Sequence, residues 1–199
     1  MTTRNRIFFP GNPWPEGHPI EEFRWTASVR DGEVWFDLHL RSEDYEAERE
    51  IEEPGEEDDD EDNFPSDWEA PGVWTNYHRC TLSSTQWPDY RGFAVCPVSA
   101  FSLERIDGFE ACVDDAPSED PRDNAFHIYL FSHGTVAHHR IRFERIAGTD
   151  RFNIVWTGKI ALSFGGDPEF DRAFTATLFD VAAPHVPAES GPAHRSPAL

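Results

Sequence analysis

Lysine is almost missing from this sequence: Lys159 stands against sixteen arginines. Arginine has GC-rich codons and lysine does not, so the expected source is a bacterium with a GC-rich genome. Cysteine is scarce as well. Cys80, Cys96 and Cys112 form no CxxC pair and are one too many for complete pairing, so no disulfide framework is expected. A chain of 199 residues buries roughly 70% of its unfolded surface and needs no such staple. The opening residues, MTTRNRIFFPGNPWPEG, lack the apolar h-region of a signal peptide. No apolar run approaches the roughly 20 residues needed to cross a bilayer. The expected setting is the cytoplasm, with free thiols and no membrane partner.

Catalytic signatures are missing too. GxSxG, HExxH, GxGxxG and the P-loop are all absent, so no local motif specifies a reaction and no cofactor is implied. Clustered Lys and Arg are also lacking, which disfavours direct binding to a nucleic-acid backbone.

Negative charge is abundant, and it is concentrated. The formal charge is −21, and residues 43–62, EDYEAEREIEEPGEEDDDED, contribute −13 of it. An ordinary, mildly acidic body therefore carries one very acidic excursion, expected to be solvated. Residues Glu57, Asp58, Asp59, Asp60, Glu61 and Asp62 are candidate contacts for a basic protein steered by long-range attraction.

Period-two alternation dominates the rest of the chain. FRWTASV and EVWFDLHL alternate around Asp31-Gly32, the preferred pair for a type I′ hairpin turn. The register places Arg30 opposite Glu33, Val29 opposite Val34 and Trp25 opposite Leu38, with Phe23, Trp25, Ala27, Val29, Val34, Phe36, Leu38 and Leu40 on one face. Trp35 falls on the outward face beside Arg24, Arg30, Glu33, Asp37 and His39, and is a candidate interface anchor. Residues 63–89 read as a loop, yet Trp68, Trp74, Tyr77 and Trp87 require it to pack onto the body. FEACV, RFNIVWTGKIAL and RAFTATLFDVA are further strands. The fold expected is all-β and mainly antiparallel, a sandwich or partly open barrel with little helix. Residues 1–183 are expected to form one domain, with an irregular segment at 1–19 and the acidic excursion at 43–63, and residues 184–199 a mobile Pro/Ala-rich tail.

The stretch FHIYLFSHGTVAHHRIRF, residues 126–143, holds four histidines. With His133-Gly134 as its turn, the hairpin points His139 into the apolar face. It gathers His127, Tyr129, His138, Arg140 and Arg142 on the polar one. That polar face is a candidate site for a small anionic ligand or, with a third ligand from Cys112, Asp114 or Asp115, for a metal. The function expected is a non-enzymatic protein-interaction module engaging a basic partner, for which an immunity or antitoxin-like protein is one concrete form. The alternatives are a ligand-binding barrel using His127, His138 and Arg140, and a structural subunit of a larger assembly.

Overall fold

The computed structural model describes residues 4–48, 64–84, 92–118 and 120–187. The Asp31-Gly32 turn forms as its sequence demands, both residues taking positive φ (52° and 78°). It joins β2 (His18–Arg30) to β3 (Glu33–Ser42), and the three pairs expected from the alternation, Arg30–Glu33, Val29–Val34 and Trp25–Leu38, are all present. β1 (Arg6–Phe8) lies inside the stretch expected to be irregular. Ile7 is fully buried there, and the three residues pair with both β2 and β10 (Arg172–Ala182). A triplet is too short for periodicity to reveal; its partners make it a strand.

The remaining barrel strands are β4 (Thr81–Ser83), β7 (His127–Leu130), β8 (Ser132–Arg145) and β9 (Arg151–Ala161). Every pairing is antiparallel, in the order β2-β1-β10-β9-β8-β7-β4-β3, and the β2–β3 hairpin closes the ring. The result is an eight-stranded closed barrel, so closure is complete where a sandwich or partly open barrel was expected. β5 (Phe93–Pro97) adds to β3 and β6 (Glu110–Val113) adds to β8. Helix is confined to short turns, including α1 (Pro71–Thr75) and α2 (Leu103–Ile106).

Bulges bend the long strands around this ring. β2 slips register at Glu21, passing from β1 to β3. β8 slips at His138, whose φ is 54° and whose amide donates to Asp114 O. Such one-residue insertions increase local twist and turn a strand through a barrel corner.

Rings fill the interior. Trp25 lies 4.9 Å from Phe143 and 5.1 Å from Phe36, and Trp156 lies 4.8 Å from Phe126. Gly158 sits where the wall is tight: a Cβ there would meet Phe174 Cε1 at 2.6 Å and His139 Nδ1 at 2.9 Å. Gly158→Ala is expected to cost about 1–3 kcal/mol by overpacking, read as a lower urea midpoint at unchanged m-value. The barrel end formed by Phe9, His18, Tyr45 and Phe131 is covered by Trp68 and Trp74.

Candidate functional site

β7 and β8 do not meet as the His133-Gly134 turn requires. The reversal falls at Phe131: Leu130 pairs with Ser132, which takes φ of 64°, Tyr129 with His133 and Ile128 with Gly134. Gly134 instead lies within the strand, and a Cβ on it would meet Ile128 Cγ2 at 3.2 Å and Ala161 O at 3.4 Å. Its glycine serves close packing, not a turn.

The expected polar face is therefore divided. His127 and Tyr129 pair with Ser83 and Thr81 on β4. His138, Arg140 and Arg142 lie farther along β8, past the bulge, in the other half of the barrel. There His138 meets the Phe170 ring edge at 5.4 Å, Arg140 is ion-paired with Asp115, and Arg142 pairs with Glu144 at 2.8 Å. His139 points inward as expected and is fully buried. Trp156 Nε1 donates to His139 Nδ1 at 3.0 Å, which puts the ring proton on Nε2, 3.9 Å from Asp114 Oδ2. Burial, helped by nearby His138, holds this imidazole down at about 3 and keeps it neutral. Among the described residues no cluster of three His, Cys, Asp or Glu could hold a metal ion.

Trp35 is half-buried, opposite Ser28 and Ala94, with the Arg30 guanidinium 5.3 Å over its ring. Residues Glu57, Asp58, Asp59, Asp60, Glu61 and Asp62 lie outside the described residues, as does Trp87. The first part of the acidic segment does meet the body. Tyr45 is buried and Glu48 pairs with Arg4 and Arg6.

A different constellation emerges on the outer face of β2, β3, β4 and β7. The register aligns Arg24, His39, Ser83 and His127 in one row, and Glu22, Arg41, Thr81 and Tyr129 in the next. The bulge at Glu21 sets two glutamates beside Arg41: Glu21 Oε2 at 3.5 Å and Glu22 Oε2 at 3.3 Å. Glu22 also pairs with Arg24 at 2.8 Å, and Glu21 with Arg79 at 2.9 Å. A groove of about 660 Å³ opens over these side chains. At its floor His39 Nδ1 is 3.0 Å from Ser83 Oγ, and His39 Nε2 is 3.9 Å from Glu22 Oε2. Burial first, then Arg24, lowers the basicity of His39, against the opposing pull of Glu22. Next to it on the same strand face, burial raises the Asp37 carboxyl to about 6 although Arg30 is 3.7 Å away.

This serine, histidine and glutamate do not make a nucleophile. Ser83 is fully buried, and the histidine presents Nδ1 to the hydroxyl and Nε2 to the carboxylate, the reverse of a hydrolase triad. What the face offers is donors for binding. Arg24 and His39 were legible as outward residues of the first hairpin. Arg41, Arg79 and Thr81 were not, because the three-residue β4 that brings them together lies in a stretch read as loop. No family matches this sequence, and no match is found among curated proteins or solved structures.

Proposed function

We propose that this protein is a non-enzymatic interaction module whose acidic surface engages a basic protein partner. An immunity or antitoxin-like protein that neutralises a basic toxin is its concrete form. The supporting observation is where the positive charge goes. Among the described residues, every arginine except Arg105 lies within ion-pair distance of one of the protein's own carboxylates. The excess that makes the net charge −21 is left for a partner. Fields of this kind accelerate association and fade as salt screens them.

Pull-down with the full chain from extracts of its source organism is expected to enrich one basic protein, released as salt rises from 50 to 500 mM. Deleting residues 49–62, which spares buried Tyr45, is expected to weaken that association at least tenfold. Association that ignores salt would overturn the electrostatic reading. Undiminished association after the deletion would move the contact to the barrel's own carboxylates. No helix among the described residues is long and apolar enough to cross a membrane.

A further inference from the structure

The groove on β2, β3, β4 and β7 has the opposite character to the rest of the surface. Three guanidiniums, Arg24, Arg41 and Arg79, line it with Glu22, Glu21 pairs with Arg41 and Arg79 from beside it, and His39, made less basic by burial, forms part of its floor. Each guanidinium presents five N–H donors in a planar fork, far more than two shared carboxylates can accept. The shortfall is visible at Arg41. Its Nε makes no hydrogen bond, Glu21 Oε2 standing 3.5 Å away. Thr81 adds a hydroxyl beside these forks, and the Tyr129 ring, 6.4 Å from Tyr77, supplies a flat apolar wall. A groove of about 660 Å³ falls within the usual range for small-molecule sites, about 300–1,000 Å³.

We propose that this groove binds a small, multiply charged oxyanion, a phosphate or carboxylate compound, held by Arg24, Arg41 and Arg79. Guanidinium forks match both groups in bidentate geometry. Entry of the anion draws the forks partly away from Glu21 and Glu22, exchanging ion pairs already formed for ones to the ligand. The site is independent of the basic-partner reading, because the two surfaces have opposite charge and either can fail alone.

Calorimetric titration of the full chain at low ionic strength tests it, with pyrophosphate and citrate as probes. Saturable binding near one equivalent is expected, with the tighter probe telling a phosphate site from a carboxylate one. Arg41→Gln with Arg79→Gln is expected to weaken it at least tenfold. Arg142→Gln, in the other half of the barrel, is expected to leave it unchanged. Arg24→Gln, at a side chain 63% exposed, provides a variant whose fold is not at stake and is expected to weaken binding severalfold. No saturable binding of either probe overturns the proposal. So does binding that survives in a folded Arg41→Gln, Arg79→Gln variant.

Discussion

Lowering the pH from 7 to 4 is expected to remove several kcal/mol of stability, and two histidines are expected to account for the loss. His139 is fully buried and held at about 3; His18, buried among Phe9, Trp14, Tyr45 and Trp74, is held at about 4, chiefly by burial. Both titrate near 6.5 once unfolded, so the unfolded chain binds protons that the native one refuses. Stability from these groups is complete above about pH 6.5 and declines as pH falls toward their native values. By pH 4 each contributes a loss of about 3 kcal/mol. Asp37 works against them. Its carboxyl, raised to about 6, takes up a proton more readily in the native state, returning about 2 kcal/mol over the same interval. Asp114, also raised by burial, acts in the same direction. Urea unfolding from pH 7 to pH 4 should show the net decline. In His139→Gln, whose amide can accept from Trp156 and donate toward Asp114, most of that net decline, about 3 of about 4 kcal/mol, should vanish. An identical pH slope in that variant and the parent would refute the assignment to His139.

The two hairpins show why part of the fold was legible and part was not. In β2–β3 the local signals agree: Asp31-Gly32 sets the turn, and the alternation admits one register that buries Trp25, Val34, Phe36 and Leu38. In β7–β8 the signals conflict. His133-Gly134 looks like a turn, yet the glycine lies within the strand, where Ile128 and Ala161 would crowd a side chain. Ser132 accepts the left-handed conformation in its place. His138 then inserts an extra residue, so that Val136, Ala137, His139 and Ile141 are all buried, which strict alternation forbids. The arginine groove was hidden for a related reason. Its two halves meet through Leu40–Leu82 and Ile128–Leu82, pairings across some forty residues each that leave no local pattern. The buried tryptophans of residues 63–89 were foreseeable because large rings in a polar stretch need a body to cover them; which end of the barrel they cover was not.

That cover centres on Trp74. Trp74 is wholly buried, with Phe131 at 4.6 Å, Tyr45 at 5.1 Å and Phe9 and Trp68 each at 5.2 Å. Its Nε1 donates to Trp68 O at 2.8 Å, while Trp68 Nε1 donates to Pro10 O at 2.9 Å, so the two rings tie α1 and its approach to the N-terminal segment. Truncating a buried tryptophan costs about 3–5 kcal/mol through lost transfer energy and the cavity left behind. Trp74→Ala is expected near the middle of that range, a large share of the 5–15 kcal/mol typical of a domain. Trp74→Phe keeps much of the ring contact and gives up the N–H donor, and is expected to cost only about 1–2 kcal/mol. The same truncation has a second readout that mere instability would not produce. With water admitted beside its ring, His18 is expected to titrate above about 4, back toward 6.5, measurable by NMR in the folded variant. A Trp74→Ala protein that loses less than about 1 kcal/mol, with His18 unmoved, would mean that α1 merely rests on the barrel end and does not seal it.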